Sequence, residues 1–123
     1  RDAEGAEGLG NVRIGQGDIV LIEADESDGS IALYDPAIAI LTNITLDHKP
    51  VAELWPLFND FLNRAQEAVV VNHDDPEARA MATGLYGPLL VSLDADCPFS
   101  TLRARDMKLG GDGAAMTVED KET

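Results

Sequence analysis

Residues 18–48 read DIVLIEADESDGSIALYDPAIAILTNITLDH. Two apolar segments stand in this stretch, Ile19–Ile22 and Ala37–Leu41, and each runs into a polar cluster. The first cluster is Glu23-Ala24-Asp25-Glu26-Ser27-Asp28; the second opens with Thr42-Asn43 and closes with Asp47-His48. Short runs of Ile, Val and Leu bounded by polar residues fit buried parallel strands. Open α/β sheets bind ligands just beyond the carboxyl ends of such strands. Both clusters are therefore expected on one rim, with the Glu23 carboxylate and the His48 imidazole facing a shared pocket. That pocket suits a divalent metal and a phosphate it carries.

Downstream, the pattern alternates helix and strand. Asp35-Pro36 marks a turn before the second strand, at 37–42. Residues 50–67 place Val51, Leu54, Trp55, Phe58, Phe61 and Leu62 at intervals of three and four, which predicts an amphipathic helix with a core-facing aromatic stripe. Pro50 suits its first turn, and Pro56 is expected to kink it. Ala68–Val71 is a third strand, and Asp75 before Pro76 and Glu77 opens a second helix that Gly84 ends. Leu89–Leu93 is a fourth strand. From Thr101 the pattern turns to alternation around Gly110-Gly111-Asp112-Gly113, a β-hairpin signature. The expected fold is α/β: a mainly parallel sheet flanked by helices, with a C-terminal β-hairpin.

Composition narrows the function. The 123 residues suit one domain, and 45% hydrophobic content supports a core. The net charge of −14, from 23 acidic and 9 basic residues, disfavours nucleic acid and anionic membrane as partners. No apolar run approaches the roughly 20 residues of a membrane helix. The single Cys97 excludes an internal disulfide and fits a reducing compartment; it has no basic sequence neighbour to lower its pKa and is expected to be inert. The glycines at 5, 8, 10, 15 and 17 never give GxxxxGK[ST], and are expected to make turns rather than a phosphate loop. The start at Arg1 and the end at Thr123 read as those of a piece from a longer protein.

Four carboxylates within the six residues 23–28 leave three readings: a solvated loop capping a short helix at 28–33, a metal site, or the acidic pocket of a phosphoacceptor receiver domain. A receiver needs a Lys after its last strand and an Asp directly after a middle strand. Neither Ser92-Leu93-Asp94 nor the end of the 68–71 strand supplies them. A non-catalytic binding domain descended from an enzyme is the remaining alternative. His48, in a polar loop, and His73, at another strand end, are the two imidazoles; capping accounts for Asp75.

With these motifs placed, residues 18–48 resemble the Mur ligase family, ATP-dependent enzymes of peptidoglycan synthesis. The likeness rests on Glu23-Ala24-Asp25-Glu26-Ser27-Asp28-Gly29-Ser30, Thr42-Asn43-Ile44 and Asp47-His48, with His48 standing 25 positions after Glu23. The later helix, the Val70-Val71-Asn72 to Asp74-Asp75-Pro76 segment and the hairpin extend it over roughly residues 8–118. Lys49-Pro50 departs from the family pattern of an apolar residue and then an acid.

The resemblance implies a partial central domain, without the upstream phosphate loop and the C-terminal domain, and inactive alone. It implies a bacterial, cytoplasmic enzyme that joins an amino acid, L-alanine by the closest subgroup, to UDP-N-acetylmuramate through an acyl phosphate. A ligase that recycles a preformed tripeptide is the alternative within the family. ATP would be the cosubstrate and Mg2+ the cofactor. Glu23 and His48 would be catalytic as magnesium ligands, Asn43 and Ser27 would contact substrate, and Asp25 would support them.

Overall fold

The computed structural model describes residues 15–27, 29–45, 50–111 and 113–121. Five strands form a single sheet in sequence order: β1 (Ile38–Leu41), β2 (Ala68–Asn72), β3 (Leu89–Ser92), β4 (Leu102–Gly110) and β5 (Gly113–Asp120). The pairs β1–β2, β2–β3 and β3–β4 are parallel; β4–β5 is antiparallel. Two helices, α1 (Val51–Asn63) and α2 (Pro76–Ala82), supply the first two crossovers. The expected α/β architecture with its closing hairpin is the observed one.

The core forms on one face of the sheet. Ala39 and Leu41 of β1 and Val71 of β2 meet Leu54 and Leu62 of α1 and Ala78, Met81 and Ala82 of α2. Trp55 and Phe58 pack beside them, as the helical spacing predicts. Trp55 Nε1 donates to Glu77 Oε2 at 3.0 Å and ties the two helices together. On the opposite face Ile38 and Ile40 remain 53% and 56% exposed. Parallel sheets are ordinarily covered on both faces, so this one is covered on one side among the described residues.

Local chemistry explains the element ends. The Pro50 carbonyl accepts the N–H groups of Glu53 and Leu54, so α1 begins just after Pro50 rather than on it. It stops at Asn63, short of the expected 67, because Gln66 and Glu67 donate to the carbonyls of Pro36 and Ala37 and lead the chain into β2. Arg64 closes this corner by donating to the Ala32 and Ile31 carbonyls. Asp75 caps α2 through Ala78 N–H at 2.8 Å, with Pro76 in the first turn.

One expected strand is absent. Residues 19–22 join no sheet, and Ile19, Val20 and Leu21 are 91%, 82% and 87% exposed. The apolar pattern was sound evidence of strand propensity, but a strand is stabilised by burial and pairing. With the Ile38/Ile40 face open, four apolar residues beside β1 would gain burial on one face only. The short helix expected at 28–33 is a 3-10 turn at Ser30–Leu33, and Gly29, at φ 79°, holds its N-cap position in place of an Asp or Ser side chain.

The hairpin carries a bulge. Arg105 pairs with Thr117 and Lys108 with Ala115, so Asp106 and Met107 oppose Met116 alone. Asp106 takes φ 52°, a left-handed conformation that Asp tolerates better than most residues. Near the base, Glu119 pairs with Arg103 and reaches diagonally to Arg105, at 2.8 and 2.9 Å. The Arg105 hydrogen bond, aided by the charges of both arginines and opposed by partial desolvation, holds the Glu119 carboxyl below the usual glutamate range.

Three outcomes follow for urea unfolding. Leu62→Ala, at a side chain 1% exposed, should cost about 2–5 kcal/mol. Asp106→Val should cost about 1–2 kcal/mol, while Asp106→Gly should be near neutral. Because the Glu119 pKa is depressed on folding, its contribution is complete above the usual glutamate value and is lost as pH falls through the lowered one. Glu119→Gln should flatten that acid-side loss in a plot of urea midpoint against pH.

Candidate functional site

The carboxyl ends of β1, β2 and β3 lie side by side because the three strands run parallel in close register. Leu41 stands beside Val71, and Val71 beside Leu90. The residues at or just beyond each strand end therefore share one rim: Thr42-Asn43-Ile44, Asn72-His73-Asp74-Asp75, and Leu93-Asp94.

Hydrogen bonds knit this rim. Asn72 Nδ2 donates to the Thr42 carbonyl at 2.9 Å, and Asn72 Oδ1 accepts Asp74 N–H at 3.0 Å. Asp75 Oδ1 accepts Ile44 N–H at 3.3 Å in addition to its capping bond. Asp74 takes the Ser92 hydroxyl on one oxygen and Leu93 N–H on the other, the latter at 2.7 Å. The Asp94 N–H returns to Ser92 Oγ at 3.0 Å. Sequence reasoning took Asp75 as a helix cap alone and had no role for Asn72 or Asp74. The signal was a run of amide and carboxylate side chains at a strand end, but its partners lie 18 to 31 positions away.

Of the expected site residues, Asn43 sits on this rim. It is exposed, and its Oδ1 accepts the Thr42 hydroxyl at 3.1 Å. Glu23 is exposed and follows the 19–22 segment, which is outside the sheet, so no strand delivers its carboxylate to the rim. His48 lies outside the described residues, as do Asp47 and Lys49. Ser27 donates its N–H to Asp25 Oδ1 at 2.7 Å, and the Asp25 carbonyl accepts Ile31 N–H and the Ser30 hydroxyl. Asp25 thus organises the local turn into the 3-10 helix. No three His, Cys, Asp or Glu side chains gather as a metal cage among the described residues.

Cys97 has a neighbour that the sequence does not show: His73 Nδ1 stands 3.5 Å from its sulfur, and the His73 ring lies 5.9 Å from that of Phe99. Burial raises the thiol pKa, but the backbone N–H groups of Phe99 and Ser100 and the hydroxyls of Ser100 and Ser92 lower it, and the balance falls below the usual cysteine value. The thiol is 6% exposed, which limits access to it. Its neighbour stands 24 positions earlier, beyond the reach of a local reading.

Comparison with known proteins supplies the family. No family model matches the chain. The UDP-N-acetylmuramate–L-alanine ligase of Thermobifida fusca is 35% identical over 110 residues, covering 85% of this chain and 23% of that protein. The enzyme of the same name from Desulforamulus reducens is 42% identical over 109 residues, covering 79% of the chain and 23% of the relative. That from Nocardia farcinica is 44% identical over 86 residues, 65% of the chain and 17% of the relative. The chain thus spans about a quarter of the length of the curated relatives it matches, and as such a segment it belongs to the Mur ligase family, among relatives of the UDP-N-acetylmuramate–L-alanine ligases.

Proposed function

We propose that the protein containing this chain joins L-alanine to UDP-N-acetylmuramate at the expense of ATP, in the bacterial cytoplasm, as a step of peptidoglycan synthesis. The observation that carries this is the identity of 34–44% to proteins of that name, sustained over most of the chain. The absence of any helix long and apolar enough to cross a membrane among the described residues accords with it. In this reading a muramate carboxylate oxygen attacks the γ-phosphorus of ATP, ADP leaves, and an acyl phosphate forms. The amine of L-alanine attacks the acyl carbon, loses a proton, and expels inorganic phosphate as the amide bond forms.

By the family resemblance the chain's own residues would take a supporting part in that chemistry, although no strand brings Glu23 to the rim that carries Asn43. At net charge −14, bringing phosphates and a carboxylate together costs repulsion unless a cation offsets it. A magnesium ion, when bound, would supply that charge. It takes oxygen donors and is ordinarily held by one or two carboxylates with substrate phosphates and waters. The solvent-exposed Glu23 carboxylate is a donor of that kind, and His48 would hold a second ion. Asn43, exposed beyond β1, would orient the substrate with its amide. Ser27 would give weaker contact, with Asp25 holding its backbone at 2.7 Å. The chain has no GxxxxGK[ST] motif, so the nucleotide cradle would come from elsewhere in the protein, and these 123 residues alone should not hydrolyse ATP.

The test is phosphate release by the full-length protein. Release should require ATP, magnesium, UDP-N-acetylmuramate and L-alanine together. Glu23→Gln should lower kcat by on the order of 100-fold and raise the magnesium concentration needed. Release independent of the muramate nucleotide, or a Glu23→Gln enzyme as active as the parent, would overturn the respective assignment.

A further inference from the structure

We infer that Asn72 and Asp75, on the turn between β2 and α2, are positioning residues that set the geometry of Asn43, an inference that rests on the proposed substrate role of Asn43. The backbone of Asn43 is held from both sides by this single turn. On one side the Thr42 carbonyl accepts Asn72 Nδ2 at 2.9 Å; on the other, Ile44 N–H donates to Asp75 Oδ1 at 3.3 Å. Asn43 itself lies past the last ladder residue, Leu41, so strand pairing does not fix it. These two side-chain bonds do that in place of the ladder.

The clamp is itself constrained. Asn72 is the last residue of β2, and its Oδ1 accepts Asp74 N–H at 3.0 Å. With the oxygen so engaged, the amide must turn its N–H groups toward Thr42. The same oxygen of Asp75 also accepts Ala78 N–H at 2.8 Å, which anchors it to the start of α2. Ile44 is 3% exposed and packs in the core with Leu54 and Met81. Asn43 is thus an exposed residue between two fixed points. A helix cap alone would need only the bond to Ala78. The second bond, to a residue 31 positions earlier, couples α2 to the exit of β1.

Cap and clamp can be separated by substitution. Serine caps helices about as well as aspartate, but its shorter side chain would not also reach Ile44. Asparagine keeps an oxygen in the same place. In the full-length ligase, Asp75→Ser and Asn72→Ala should each lower kcat/KM for UDP-N-acetylmuramate about tenfold, the scale of one lost hydrogen bond. Asp75→Asn should restore it, and all three should keep a parental melting temperature within a few degrees. In an Asn43→Ala background, Asp75→Ser should cause no further loss, the mark of two residues acting through one contact. A full Asp75→Ser loss in that background, or parental kinetics in Asp75→Ser, would overturn the inference. Hydrogen exchange at the Ile44 amide of this chain reads the clamp without any activity. It should speed up in Asp75→Ser and not in Asp75→Asn; equal exchange in both would overturn the clamp. A parent enzyme without ligase activity would instead count against the proposed function.

Discussion

The parallel register that sets Leu41 beside Val71 and Val71 beside Leu90 is the constraint on which the rest depends. A shift of β1 by one residue would turn Ala39 and Leu41 away from the helices and bring the exposed Ile38 and Ile40 under them. The same shift would separate Thr42 from Asn72 and Ile44 from Asp75. Core and rim are therefore one choice: the side-chain alternation that fills the space beneath α1 and α2 also aligns the strand ends. Val71, with no exposed surface, is the residue at which both requirements meet.

Among the described residues, most basic side chains are engaged in holding the fold. Arg64 is committed to the carbonyls of Ile31 and Ala32, and Arg103 and Arg105 share Glu119. Lys121 donates to the Cys97 carbonyl at 2.7 Å. These cations are spent on holding loops and the hairpin. The polar side chains of the rim are carboxylates, amides, a hydroxyl and the His73 imidazole, a donor set that favours cations and polar neutral groups. For a chemistry that assembles phosphates and a carboxylate, such a surface is workable with a cation between them, and that agrees with a ligase better than with a module that binds anions directly.

Much of the fold was legible in the residues. Val51, Leu54, Trp55, Phe58 and Leu62 report α1 by their spacing. Asp75-Pro76 reports the start of α2, and Gly110 to Gly113 the hairpin turn. What local pattern could not report is whether a propensity would find partners. Ile19–Ile22 carries as strong a strand signature as Ile38–Leu41, yet only the second has β2 beside it and a helix over it. The Asp106 bulge shows in the sequence only as a slip of the alternation, from Leu102 and Ala104 to Met107 and Leu109, whose meaning comes from the pairing with β5. For the site, the motif residues Glu23, Asn43 and His48 were visible as types and spacings. The rim bonds were not, because each joins residues far apart in the chain.

The rim also shows why polar residues cluster at strand ends. Where a parallel ladder stops, the next N–H and C=O groups lose their partners, and leaving a buried one unsatisfied costs about 1–3 kcal/mol. Ile44 puts this problem in its sharpest form, since its side chain belongs to the core while its N–H lies past the ladder. A side chain from the neighbouring strand's turn is the nearest solution. Asp75 is suited to it because a carboxylate oxygen can accept two N–H groups at once, Ile44 and Ala78. Satisfying the backbone in this way draws β1, β2 and α2 into one rigid corner. For an exposed polar residue placed on that corner, as Asn43 is, the proposed substrate role would gain from this: a backbone held before a ligand arrives would lower the entropy lost on binding.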